Sequence, residues 1–313
     1  MRLATVSVNG EKRLAAVKEE KYIDLNLAYK LFLESQGKLR ASQLADAQIP
    51  ADMVGFLQGG EESMMLAKAA TDFVEKSEFT TEVRSKLFYE NTQVKLEAPV
   101  QNPGKIICVG LNYRTHIMEM GRELPTIPVV FAKFSNTIIG PNDPILKPKV
   151  SDELDHEAEF AFIIGKRGKH ISEEDAMDYV AGYTIANDVS VRDFQKRTIE
   201  WLQGKTFDTS LPMGPYLVTK ESLPNAFNLE LSLKLNGVER QHANTNDLVF
   251  TVPFLVSFLS SIMTLEPGDV ILTGTPGGVG LARTTDKWMK HGDVVRVEIE
   301  GLGVLENPVV NEE

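Results

Sequence analysis

The chain has one cysteine, Cys108, in 313 residues. That excludes an intrachain disulfide and fits a reducing compartment. Flanked by Ile107 and Val109, Cys108 reads as a buried small hydrophobe rather than a nucleophile. Basic residues are also scarce: 33 Lys and Arg against 44 Asp and Glu leave a net charge of −11. Such a balance excludes general nucleic-acid binding, which needs a basic surface. Any anionic substrate must then be held by locally placed Lys or Arg. The longest apolar stretch, Pro253 to Met263, is short for a membrane span and carries three serines. The opening M-R-L-A-T-V-S-V-N-G-E-K-R lacks the continuous apolar core of a signal peptide. No internal repeat or low-complexity run occurs. The expectation is a soluble, cytoplasmic protein with no nucleic-acid or membrane partner.

What is present is globular. Hydrophobic residues make up 42% and charged residues 25%, enough apolar surface for one large domain or two ordinary ones. The turn Asn9-Gly10 predicts a hairpin within residues 1–25. From Asp24 to about Val74 the pattern turns helical, with Leu25, Leu27, Ala28, Leu31 and Phe32 at helical spacing and a second helix over Glu61 to Glu75. Pro99 and Pro103 bracket the polar segment A-P-V-Q-N-P-G-K, which predicts a boundary between a small domain at 1–98 and a second at 99–313.

The second domain carries the chemistry. The run D-H-E-A-E-F-A-F-I-I-G alternates as a strand, with Glu157, Glu159, Ala161 and Ile163 on one face and Ala158, Phe160, Phe162 and Ile164 on the other. Two carboxylates at i and i+2 point the same way, about 6–7 Å apart. They need protonation, a basic partner or a cation. Taken alone, such a pair is most often a solvated strand face. The later strand V-A-G-Y-T-I-A-N-D ends on Asp188, a third hard oxygen donor. Oxygen ligands without thiolate suit Mg²⁺, Mn²⁺ or Ca²⁺ rather than Zn²⁺. Asp155 shares the glutamates' face and reads as a supporting residue, whereas His156 points away and reads as structural.

Around these acids lie further candidates. His116 and Glu119 stand three apart in L-N-Y-R-T-H-I-M-E-M-G-R-E-L-P. If that loop turns helically, the carboxylate orients the imidazole as a general base. Gly121 and Pro125 flank the segment, so it can move as a lid. Lys133 reads as a site residue or, more readily, as a plain edge-strand lysine. A helix is predicted from Ser172. Another is predicted over V-S-V-R-D-F-Q-K-R-T-I-E-W-L-Q-G-K, setting Arg192 and Gln195 on one face four and seven residues after Asp188. Lys205 can bind a carboxylate or stabilise an enolate. In G-T-P-G-G-V-G, backbone amides and the Thr275 hydroxyl can hold a small carboxylate. That stretch lacks the order of a P-loop or a dinucleotide fingerprint.

The segments N-Y-R-T-H-I-M-E-M, H-E-A-E-F, N-D-V-S-V-R-D-F-Q, G-K-T-F-D-T-S-L-P-M-G-P and G-T-P-G-G-V-G occur in that order. With them the chain resembles the fumarylacetoacetate hydrolase family over roughly residues 103–308. The resemblance implies an α+β, mostly β fold: a mixed β-sandwich roll with a small N-terminal α/β domain, usually a homodimer. It implies Mg²⁺ or Mn²⁺ on Glu157, Glu159 and Asp188, and substrate contacts from Arg192, Gln195, Lys205 and Thr275. In the acylpyruvate hydrolase and oxaloacetate decarboxylase branch the H-x-x-E pair, here His116 and Glu119, sits on a lid and assists the chemistry. The spacing from Arg192 to Lys205 is shorter than in the short acylpyruvase-type members, which leaves the pocket wall open.

The implied function is metal-dependent cleavage of the C3–C4 bond of a small anionic 2,4-dioxo or 4-carboxy-2-oxo acid through a metal-stabilised enolate, with Lys205 supporting the charge. With a C4 carboxylate this is oxaloacetate decarboxylation. With a C4 ketone it is acylpyruvate hydrolysis, His116 activating a water. The alternatives are an isomerase or decarboxylase of oxo-heptene-dioates, a hydratase, or a non-catalytic member of the family.

Overall fold

Turn chemistry sets the first strands. Asn9 and Gly10 take φ of 51° and 84°, as a two-residue hairpin turn of the primed kind requires. They join the antiparallel strands Arg2–Val8 and Glu11–Lys18. Asn236 and Gly237, at 52° and 78°, do the same for Glu230–Leu235 and Val238–Asn244. The computed structural model describes residues 1–19, 21–119, 121 and 123–313. Met120, the last residue of the N-Y-R-T-H-I-M-E-M motif, lies outside them.

Two sheets organise the chain. The larger runs, edge to edge, through Phe88–Glu90, Lys21–Asp24, Glu11–Lys18, Arg2–Val8, Leu211–Thr219, Val180–Asn187, Ala158–Ile164, Val270–Leu272, Ile106–Gly110 and Val129–Lys133. The first 98 residues thus continue the sheet of the remainder, with Arg2 opposite Val218 and Leu3 opposite Leu217. The smaller of these two has five strands among the described residues, including Val294–Ile299, Gly303–Asn311 and Ile145–Lys147.

The Ala158–Ile164 strand is buried along its whole length, and its alternation separates two cores. Ala158, Phe160, Phe162 and Ile164 enter one cluster with the smaller sheet and the helix Val252–Ile262. Ala161 and Ile163 enter the other, beneath the N-terminal helices, which include Leu25–Ser35 and Gly60–Lys76. This is the α+β, mostly β fold expected, with large mixed sheets and the glutamate face turned toward the second cluster. The Leu25–Ser35 helix begins where Asp24 accepts the Leu27 N–H at 2.9 Å, a side-chain cap for an otherwise orphan donor. Among the described residues no helix is long and apolar enough to cross a membrane.

Two helical expectations fail. After Ser172 the chain makes only a turn and a short 3₁₀ segment, Ala176–Tyr179. The Ser172 hydroxyl donates to the Asp175 carboxylate at 2.6 Å and accepts the Asp175 N–H at 3.1 Å. These local bonds compete with a helical ladder. Beyond Asp188 the single helix is replaced by the two-residue strand Ser190–Val191 and the short helices Arg192–Gln195 and Leu202–Lys205. Ser190 and Val191 pair with Asp155 and Leu154, and the Arg192 N–H donates to the Glu153 carbonyl at 2.9 Å. Pairing with a distant strand overrides local periodicity.

Candidate active site

The carboxylates come from two adjacent strands. Glu157 lies just before the Ala158–Ile164 strand, Glu159 lies within it, and Asp188 follows the neighbouring Val180–Asn187 strand. The Asp188 N–H donates to the Glu157 carbonyl at 2.9 Å, and the Glu157 N–H to Asn187 Oδ1 at 2.9 Å. One ligand oxygen from each of the three lies within 4.8 Å of the others. Among the described residues this is the only such group able to hold a metal ion.

Cations surround the acids unevenly. Lys205 Nζ lies 2.7 Å from both Glu157 Oε2 and Asp188 Oδ2. Lys133 Nζ lies 2.9 Å from Asp188 Oδ1, with the Val189 carbonyl and Ser210 hydroxyl completing its shell. Arg192 bridges Asp155 through Nε and Glu157 through Nη1, each at 2.7 Å. Burial would raise the Glu157 carboxyl, but Lys205 and Arg192 hold it down at about 2. Glu159 has no such partner. Its oxygen accepts the Gly274 N–H, while burial and then the Asp188 and Glu157 charges push its carboxyl well above the usual range. Burial disfavours the Lys205 ammonium, but Asp188 and Glu157 more than compensate and its pKa is raised. For Lys133 burial wins and the pKa falls.

Four buried carboxylates (Asp155, Glu157, Glu159, Asp188) thus face three cations (Lys133, Arg192, Lys205). The surplus formal negative charge lies at Glu159, in surroundings where an unpaired charge is costly. A divalent cation fits this oxygen-only donor set and reverses the surplus. Gly274 enables the arrangement, because its φ of +109° lies where side chains are strained and brings its N–H to Glu159.

One cavity of about 730 Å³ contains nearly all of the residues singled out from sequence. His116, Glu119, Glu157, Glu159, Arg192, Gln195, Lys205 and Thr275 line it, whereas Asp188 lies behind, fully buried. The expected helical turn exists as Arg114–Glu119. His116 Nδ1 stands 3.6 Å from Glu119 Oε2, and no side chain intervenes at Gly277, where a Cβ would come within 2.5 Å of that oxygen. Arg192 Nη2 is buried without a partner, and Nη1 donates to Gln195 Oε1 at 3.0 Å. This leaves the Gln195 amide hydrogens available. Apolar side chains complete the lining: Phe131, Ile199, Trp201, Val279 and Leu281.

Sequence reasoning missed two parts of the site. Lys133 is not an edge-strand lysine on the surface, because its ammonium is fully buried against Asp188. Its alternation with Phe131 in V-V-F-A-K was the available signal. Asp155 does more than share a face. Its Oδ1 accepts the His156 and Gly280 N–H groups at 2.9 and 2.7 Å, and its Oδ2 accepts Arg192 Nε and the Leu281 N–H at 2.7 and 3.0 Å. His156 is buried, with Nδ1 unpartnered.

Known proteins share this architecture. The family description "Fumarylacetoacetate (FAA) hydrolase C-terminal" matches residues 105–310. The mitochondrial oxaloacetate tautomerase of Xenopus laevis is 45% identical over 282 residues, 90% of this chain and 85% of that protein. The mitochondrial oxaloacetate tautomerase of Rattus norvegicus is 46% identical over 267 residues, 85% and 82% of the two chains. The structure of maleylpyruvate hydrolase from Sphingobium sp. SYK-6 with manganese(II) ion and pyruvate superposes with a TM-score of 0.75 at 30% identity, covering all of both chains. The expectation of a cytoplasmic protein is overturned, because these vertebrate relatives are mitochondrial by name. Sequence motifs, sheet order and relatives agree that this chain is an enzyme of the fumarylacetoacetate hydrolase family.

Proposed function

We propose that the enzyme acts on oxaloacetate, interconverting its keto and enol forms with Mg²⁺ or Mn²⁺ held by Glu157, Glu159 and Asp188. One observation carries the reading: a single cavity holds a carboxylate cluster one positive charge short and an imidazole–carboxylate pair. The names of the Xenopus and rat relatives support the substrate. Hard oxygen donors favour those two ions over zinc. When bound, the cation would supply Lewis-acid polarisation of the 2-oxo group, making the C3 hydrogens acidic.

The chain's own residues do the rest. Arg192 Nη2, the Gln195 amide and the Thr275 hydroxyl offer donors to the substrate carboxylates. Lys205 fixes a positive charge at the acid cluster, so negative charge developing on a held oxygen is stabilised without reorganisation. His116, oriented by Glu119, takes the proton from C3 and returns it to the C2 oxygen. The C3–H bond breaks, an O–H bond forms, and no atom is gained or lost.

A second reading is C3–C4 cleavage of a bulkier 2,4-dioxo acid. The apolar wall at Phe131, Trp201 and Leu281 favours it, because it offers room for an acyl group that oxaloacetate lacks. There His116 deprotonates a water that attacks the C4 carbonyl, and C3 leaves with the electron pair and is protonated. Residues 99–313 as the catalytic unit and a homodimeric assembly belong to the same proposal. Every residue invoked lies beyond position 98, and a sedimentation mass of one chain would remove the dimer.

The test is the decay of the ultraviolet absorbance of enol-oxaloacetate with EDTA-stripped enzyme, then with Mn²⁺ or Mg²⁺ restored. Metal-dependent acceleration over buffer supports the tautomerase reading, and its absence sinks it. Pyruvate released from acetylpyruvate or oxaloacetate instead would establish the cleavage reading.

A further inference from the structure

A single buried amide joins two walls of the cavity. Gln241, in the Val238–Asn244 strand, is 1% exposed. Its Oε1 accepts the Ala158 N–H at 2.9 Å, between the two glutamates. Its Nε2 donates to Thr275 Oγ1 and to the Pro276 carbonyl, each at 2.8 Å. The orientation of this amide is fixed by its partners, since the Ala158 N–H can only donate and the Pro276 carbonyl can only accept. Both hydrogens on Nε2 are therefore committed, and Thr275 Oγ1 is the acceptor in its bond. The hydrogen of the Thr275 hydroxyl remains, and no described residue accepts it. Thr275 lines the cavity, so that hydrogen is available to an anion there.

We infer that Gln241 is a positioning residue. It makes the Thr275 hydroxyl an outward donor to a substrate carboxylate, and with the same amide it fixes the backbone between Glu157 and Glu159. The inference rests on the reading of Thr275 as a substrate contact. With Gln241 donating to Thr275 Oγ1, the hydroxyl hydrogen is directed away from that amide, and the cavity that Thr275 lines is where it can meet an acceptor. A group that binds substrate and transition state alike changes KM and leaves kcat in place.

The experiment uses the full-length, metal-loaded enzyme with Thr275→Val, Gln241→Met, their double variant and Gln241→Glu. It reads KM and kcat for oxaloacetate, and Kd for pyruvate by calorimetry. Pyruvate binding reports the same contact even if oxaloacetate is not turned over. Thr275→Val should raise KM and the pyruvate Kd about tenfold, the size of one hydrogen bond to a charged group, with kcat nearly unchanged. Gln241→Met should raise both as well, yet add nothing in the Thr275→Val background. Gln241→Glu keeps size and the acceptor for Ala158 but presents an oxygen where Nε2 stood. That draws the Thr275 hydrogen inward, so KM at mildly alkaline pH should rise at least as far as in Thr275→Val. Additive effects of Gln241→Met and Thr275→Val, or wild-type KM in Gln241→Glu, would overturn the role of Gln241 alone. Unchanged KM and Kd in Thr275→Val would overturn the Thr275 contact, and the role of Gln241 with it.

Discussion

Replacing Glu159 by Gln should stabilise the metal-free enzyme and remove its response to metal. Glu159 is the one carboxylate of the cluster without a cationic partner, and its ligand oxygen lies within 4.8 Å of those of Glu157 and Asp188. At an effective dielectric constant of about 20, each like-charge pair at that separation costs about 3.5 kcal/mol. Lys205 and the other cations offset much of this, leaving a net gain of about 1–2 kcal/mol on removing the charge. The amide oxygen of Gln can still accept the Gly274 N–H, so no orphan donor is created. In a chain this long, 1 kcal/mol moves Tm by about 2 °C. The variant in EDTA should therefore melt about 2–4 °C above wild type. Loss of one of three ligands should weaken Mn²⁺ binding by at least about 100-fold, since outer-shell changes alone cost about 10–100-fold. Differential scanning fluorimetry with EDTA, then across an Mn²⁺ titration, reads both effects. A variant that melts below wild type in EDTA, or one that Mn²⁺ stabilises as it does wild type, would refute the charge accounting.

His116→Ala should lower kcat on oxaloacetate by about 10²–10⁴-fold, the usual worth of a positioned acid–base group, with little change in KM; steady-state rates within a factor of two of wild type would remove the role. Lys133→Met should cost about 3–5 kcal/mol in EDTA by leaving Asp188 Oδ1 without its buried cation; a urea-denaturation change below about 1 kcal/mol would contradict it. Asp24 gives a pH signature. Burial raises its carboxyl above the ordinary value despite the Leu27 N–H and Arg13, so its stabilising contribution is complete at low pH and is lost as pH rises through the folded-state pKa. Against Asp24→Asn, which caps equally well, wild type should lose relative stability as pH rises from about 4 toward neutrality. Denaturation midpoints that shift the other way would reverse the sign of that argument.

Much of the site was readable because side-chain period on a strand is geometric. Alternation placed Glu159 with Ala161 and Ile163, and the structure keeps that face. The H-x-x-E pair was readable for the same reason, since one helical turn brings i and i+3 together. Contacts set by distant chain were not readable. Arg192 and Gln195 reach the cavity, but from a single short turn, because Ser190 and Val191 pair with a strand more than thirty residues upstream in the sequence. Gln241 gave no local signal at all: its partners are Ala158 and Thr275, 83 and 34 residues away. Lys133 alternates with Phe131, which hints at burial, but its pairing with Asp188, 55 residues away, is not legible locally.

The Asp155 carboxylate has a consequence for altering substrate range. By accepting the Gly280 and Leu281 N–H groups together with Arg192, it holds the backbone of the 279–282 loop to the base of the cavity. Val279, Leu281 and Ala282 line that cavity with side chains that take no part in the anchoring. The loop is therefore a fixed frame with exchangeable lining. Smaller or larger residues at those three positions should resize that side of the cavity while the carboxylate cluster and its cations stay in register.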